Sequence, residues 1–160
     1  MNNYTAEAII KCLEIDVDFY RDLTIFLMKK RTKILADDLQ WLTDSLNDEQ
    51  AFLMKSRSLE DKRLALFTGL GIADKKLSEL TDAAPEEYRP KIRMLTEQLT
   101  ETIERIQELN RETSEIVKRK LDNQKEFVQR AGLIDKPEVY NNSGSKVAGG
   151  LSAAQGFRHI

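Results

Sequence analysis

Nucleophilic or metal chemistry in this chain would have to start from one cysteine, Cys12, and one histidine, His159. They lie near opposite ends of the sequence, whereas a metal site or a Cys–His pair needs such groups to converge. Cys12 stands beside Leu13 on a stretch of helical period and reads as a small core or boundary residue. The acid pairs Asp37/Asp38, Glu60/Asp61 and Glu86/Glu87 read as helix caps and solvated helix faces. Gly69-Leu70-Gly71 follows no strand and is followed by no further glycine, so it is a poor phosphate loop. A catalytic helical bundle would need carboxylates and histidines facing inward at i, i+3 spacing, and a lone histidine near the C-terminus argues against one. No catalytic, cofactor-binding or metal-ligating residue is assigned. Trp41, beside Leu42, reads as an edge-of-core residue. Tyr140 is different. It follows Pro137 and is flanked by the turn-prone run Asn141-Asn142-Ser143-Gly144. Two roles stay open for it: a ring folded back on the last helical turn, or an anchor presented to a partner.

The scaffold is more legible than any site. Of 160 residues, 32% are charged, 41% hydrophobic and only 7% aromatic, the composition of long helices with narrow apolar seams in a single domain. The net charge is −2 with both signs interleaved. Without a basic block, nucleic acid and anionic membrane are excluded as expected partners. No apolar run approaches the ~20 residues that span a bilayer. Met1-Asn2-Asn3-Tyr4-Thr5-Ala6-Glu7 lacks the basic start and apolar core of a signal peptide, and a cytoplasmic protein is expected.

Three segments carry a helical period. In the first, about 5–35, Ala6, Ile10, Leu13, Val17, Tyr20, Thr24, Leu27 and Ile34 recur at steps of four and three, with Arg31 in the missing place. Ala36-Asp37-Asp38 reads as a joint, Asp38 being a good cap for the next helix; a kinked continuous helix stays open. The second segment runs from about 39 to 70, with Leu39, Leu42, Leu46, Leu53, Leu59 and Phe67 expected on its inner side. Gly69-Leu70-Gly71 stops it. A short helix is expected within 74–80, and Pro85 and Pro90 mark the start of the third segment. There Ile92, Leu99, Ile106, Thr113 and Phe127 share one heptad position, and Leu95, Thr102, Leu109 and Ile116 the other. Beyond Ile116, Lys120 and Asn123 take the seam positions, and the apolar side moves to Val117, Leu121, Val128 and Ala131.

Past Gly132 nothing is periodic, and Gly, Ser and Ala bury too little apolar area to offset the ordering entropy. The expected division is a helical domain over 1–134 and a flexible C-terminal tail over 135–160. The expected fold is all-α: an N-terminal helical hairpin packed against a long third helix, an antiparallel three-helix bundle or coiled coil. Its third stripe is longer than a hairpin should cover. Ile106, Leu109, Ile116, Val117, Leu121 and Val128 are therefore expected to face a partner, in the mode where an apolar helix face takes up another helix. The rival reading is a subunit whose seam associates with itself. Thr102, Thr113, Lys120 and Asn123 would weaken such a coil while suiting an exchangeable surface, so at most a weak homo-oligomer is expected.

Several short runs resemble the FlgN family. Asn47-Asp48-Glu49-Gln50, Leu53, Leu59-Glu60 and Arg63 are similar to the family's second helix. Leu77-Ser78-Glu79-Leu80 with Ala84-Pro85-Glu86-Glu87-Tyr88 is similar to the connection in Gram-positive members. Leu109-Asn110 matches a Leu-Asn in the long third helix, while Thr113 replaces the Asn that many members carry three residues on. Val139-Tyr140-Asn141-Asn142-Ser143-Gly144 resembles the family's Tyr-x-x-x-Gly signature. The likeness spans about Leu13 to Gly150. It implies a chaperone of flagellar type III export that binds the C-terminal amphipathic helices of the hook–filament junction proteins FlgK and FlgL, prevents their premature assembly and delivers them to the export gate protein FlhA. The resemblance places cargo on the third helix and gate docking on Tyr140.

Overall fold

The computed structural model describes residues 1–132; the expected flexible tail and Tyr140 lie outside them. Five helices follow one another: α1 (Asn3–Leu35), α2 (Leu39–Asp44), α3 (Leu46–Gly69), α4 (Leu77–Ala83) and α5 (Arg89–Arg130). Among the described residues there is no strand. The all-α reading and the hairpin with a long third helix against it are what the structure has.

Each boundary has a local cause. Asn2 caps α1, its side chain accepting a hydrogen bond from the Thr5 N–H at 2.8 Å. Helix α1 stops because Asp37 adopts a left-handed conformation (φ 55°). Its N–H then donates to the Ile34 carbonyl and that of Asp38 to the Lys33 carbonyl, which closes the helix end. Asp38 caps α2 by accepting from the Trp41 N–H at 3.0 Å, so the joint at 36–38 is a true break. A second interruption falls at Ser45, which separates α2 from α3. Gly71 (φ 68°) ends α3 in the same way as Asp37 ends α1: Gly71 N–H donates to Thr68, Ile72 N–H to Phe67, and the Ile72 and Phe67 side chains are both buried. Nothing lies within 4 Å of where a Gly71 Cβ would be. Gly71→Ala is therefore expected to cost only the left-handed backbone penalty, about 1–2 kcal/mol, seen as a shifted urea midpoint with unchanged slope.

Cross-helix pairs fix the directions. Tyr88 donates to Glu7 at 3.0 Å, Lys91 meets Glu14 at 2.9 Å, Arg31 bonds Glu112, and Lys120 meets Asp37 at 2.7 Å. The partners advance together, so α5 runs parallel to α1. Arg63 meets Asp16 at 2.8 Å while Glu49, earlier in α3, meets Lys30, so α3 runs antiparallel to α1. Helix α1 is the centre of the arrangement: no Cα of α2 or α3 comes within 8 Å of one in α5.

The core lies along α1 and α5. Ile9, Leu13, Val17 and Tyr20 meet the seam of Ile92, Leu95, Leu99, Ile103 and Ile106, closed at one end by Leu80, Ala84 and Ile72. Each such side chain contributes about 1.5–3 kcal/mol when taken from water. The α1–α3 interface is of another kind. Aromatic rings fill part of it, Phe52 lying 5.0 Å from Phe26 and 6.1 Å from Phe19 between centroids, and Trp41 6.0 Å from Phe26. Polar side chains fill the rest. Leu39 and Leu46, expected on the inner side, are 72% and 57% exposed. The inward line runs across Ser45 without a change of phase, through Trp41, Ser45, Phe52, Leu59, Arg63 and Phe67, and Leu39 and Leu46 stand off it.

Candidate functional site

Helix α1 has 33 residues and α5 has 42, and the two start near the same level. Partners across them stand 77 to 83 residues apart, which sets Leu35, the last residue of α1, near the level of Ile116. Helix α5 therefore continues past α1 from Val117 to Arg130, about 20 Å at 1.5 Å per residue.

The α1-facing side of α5 stays partly apolar there. At 3.6 residues per turn, about five turns separate Val117 from Leu99, Leu121 from Ile103 and Gln124 from Ile106. Val117, Leu121, Gln124, Val128 and Ala131 thus continue the line that packs on α1, at steps of four and three. Val117 is 38% exposed, Leu121 51% and Phe127, at its margin, 67%. The six residues expected to face a partner divide accordingly. Ile106 and Leu109 are fully buried, at levels where α1 still runs alongside. Ile116 and Val128 are half-buried, and Val117 and Leu121 are open.

Lys120 marks the boundary between the covered and uncovered parts. Its ammonium meets the Asp37 carboxylate and donates to the Leu35 carbonyl at 3.4 Å. The polar seam position thereby ties the end of α1 to α5 at the point where α1 turns away. Arg31, in the missing apolar place of the first segment, has a similar use through Glu112.

A second polar feature escaped the periodic reading. Asp16 sits inside the α1–α3 interface, its side chain 2% exposed, against the Arg63 guanidinium. Burial pushes the Asp16 carboxyl up from its ordinary value, and Arg63 reverses this only in part, by charge and by hydrogen bond. At Arg63 burial alone would lower the pKa; the Asp16 carboxylate more than restores it. The Tyr20 hydroxyl, which hydrogen-bonds Ser56, borders the same node and is also raised, mainly by burial. The pattern held one hint: Asp16 follows Leu13 and precedes Tyr20 at helical spacing, on a face whose other members are apolar.

Cys12 borders this node. Burial first, then the Asp16 carboxylate, push its thiol up to about 11, the opposite of what a reactive cysteine requires. At pH 8 a disulfide reagent is expected to label native Cys12 about a hundredfold more slowly than the unfolded chain, in line with the smaller thiolate fraction. Labelling at the unfolded rate would show a more accessible and more acidic thiol.

Two surface depressions stand out, one among Glu101, Glu104, Arg105, Gln107, Glu108 and Arg111, the other between Glu86 and the first turns of α5. Each is a gap between side chains of one stretch of chain, with no wall from a second element. Among the described residues no three His, Cys, Asp or Glu side chains come together to hold a metal ion. None of the described helices is long and apolar enough to cross a membrane.

Among the described residues, what stands open is an apolar stretch of helix face beyond the end of α1, with no enclosed pocket beside it. The family model described as FlgN protein matches residues 1–147, and this chain belongs to the FlgN family, that of flagellar export chaperones. No curated protein and no solved structure matches it.

Proposed function

We propose that this protein is a cytoplasmic secretion chaperone that binds the C-terminal amphipathic helices of FlgK and FlgL and delivers them to the export gate protein FlhA. The observation that carries this reading is the uncovered end of the α5 seam. A helix that takes up another helix needs open apolar positions along one face; Val117, Leu121 and Val128 stand at i, i+4 and i+11 on one such line, interrupted by Gln124, and Val117 and Leu121 are exposed. Ile116 joins them at the level where α1 ends. Ile106 and Leu109, covered by α1, support the face from beneath. A single exposed helix face buries little area, which suits a complex that must come apart at delivery.

The reading is tested by titrating the labelled C-terminal segments of FlgK and FlgL into the full chain and sizing the product by light scattering. Saturable one-to-one complexes are expected, and no binding of either segment overturns it. Delivery is assigned to Tyr140. Tyr140→Ala is expected to leave thermal stability within about 0.5 kcal/mol of wild type and cargo affinity unchanged. Binding of the loaded complex to the cytoplasmic domain of FlhA should weaken by roughly 2 kcal/mol, the size of a buried aromatic anchor. A lowered melting temperature with intact gate binding would place Tyr140 in the fold instead.

A further inference from the structure

The uncovered stripe of α5 is edged by positive charge. With Val117, Leu121, Gln124 and Val128 as the seam positions of a heptad, the flank on one side is Arg111, Lys118 and Lys125, repeating every seven residues. On the other flank Lys120 and Phe127 follow Thr113. No carboxylate stands on either flank: Glu115, Asp122 and Glu126 fall on the opposite side of the helix, and Glu112 is engaged with Arg31. Lys120 is engaged with Asp37, and Arg111 lies 3.9 Å from Glu115. Lys118 and Lys125 are exposed and make no ion pair among the described residues.

Flanking charges of this kind select the partner of a helical seam and its orientation. Resting on the docking reading above, we propose that the occupant of this face is an acidic amphipathic helix of another protein, one whose apolar stripe is bordered by Asp or Glu at the positions that meet Lys118 and Lys125. A second copy of this chain does not fit. Laid antiparallel, its basic flank would meet the same flank; laid parallel, it would meet the side that holds Lys120. Both arrangements set like charges opposite each other. The chain's own residues 133–160 do not fit either, with two acids, Asp135 and Glu138, against Lys136, Lys146 and Arg158.

Two synthetic three-heptad peptides test this, alike in a leucine seam and differing only in carrying Glu or Lys at all flanking positions. Titrated into the full chain at low salt and followed by fluorescence anisotropy, the Glu peptide is expected to bind about tenfold or more tightly than the Lys peptide, the sum of a few exposed pairs gained or opposed. The difference should shrink at high salt and reverse in Lys118→Glu/Lys125→Glu, whose circular dichroism should match wild type because both positions are exposed. Equal affinities, no binding of either peptide, or a preference that survives the charge reversal overturns the proposal. The FlgK and FlgL segments in the same assay separate the two readings. If they bind while the peptides do not differ, docking stands without charge selection; if they too fail to bind, the docking reading falls.

Discussion

Leu121→Asp combined with Val128→Asp is expected to abolish binding of the FlgK and FlgL helices while the circular dichroism and melting temperature stay near wild type. Each of the two side chains would contribute about 1.5–3 kcal/mol when an incoming helix removes it from water. An aspartate in its place would be desolvated without a partner, at a further cost of at least that size. The loss in affinity should therefore exceed a hundredfold, by at least about 2.7 kcal/mol. The fold should survive because Leu121 is 51% exposed in the free protein and no other described helix continues alongside α5 at that level. Leu109→Asp is the control. Its side chain is fully buried, and a carboxylate there should unfold the α1–α5 pair and lose binding through loss of structure. Undiminished binding in the double variant would move the cargo face elsewhere. An unfolded double variant would show that the end of α5 is core.

Arg63→Met is expected to produce the largest single loss of stability outside the apolar seam, about 3–5 kcal/mol at pH 7, because it strands the buried Asp16 carboxylate. The direction of the shift sets the sign of the pH dependence. Asp16 already titrates above its ordinary 3.8 in the folded protein, so protonation favours the fold. That contribution is fully present below 3.8 and is lost as pH rises through the folded value. Removing Arg63 takes away the two influences that hold the folded value down, and the variant's deficit should be large at pH 7 and shrink toward pH 4. Urea denaturation of wild type and variant at the two pH values measures this. A deficit that does not change with pH would mean that Asp16 gains water or another cation when Arg63 is gone. Asp16→Leu with Arg63→Met should recover most of the loss, since an apolar pair of similar volume is commonly neutral or better than a buried ion pair.

These two variants also show what was readable in the sequence. Most of the α5 seam, the stops at Gly71 and near Asp37, and the Asp38 cap arise from local periodicity and turn chemistry, so they could be read directly; Ile103 is in the core where Thr102 was expected, and Phe127 is 67% exposed. The drift of the apolar side toward Val117, Leu121 and Val128 was visible too. Which of the six α5 residues lie under α1 was not. That depends on the parallel register between α1 and α5, set by how α2, α3 and α4 return the chain to the level of Glu7. The α1–α3 interface was misread at Leu39 and Leu46 for a related reason. Its inward positions include Ser45, Glu49, Ser56 and Arg63, residues that a hydrophobic pattern sends to solvent. Asp16 and Arg63 justify their burial only by each other, and they stand 47 residues apart.

The parallel course of α1 and α5 also gives the molecule a handle and a working tip. Met1 lies just before the level where α5 begins, since Tyr88 at its start meets Glu7, and α5 then runs about 60 Å before it ends at Arg130. A surface anchor, dye or fusion attached at Met1 is held a full rod-length away from Leu121 and Val128. The protein tethered by that end presents the uncovered turns of α5 outward into solution, all molecules pointing the same way. The same attachment at residue 132 would crowd those turns, so the point of attachment decides whether an immobilised sample reports on helix capture or on the obstruction of it.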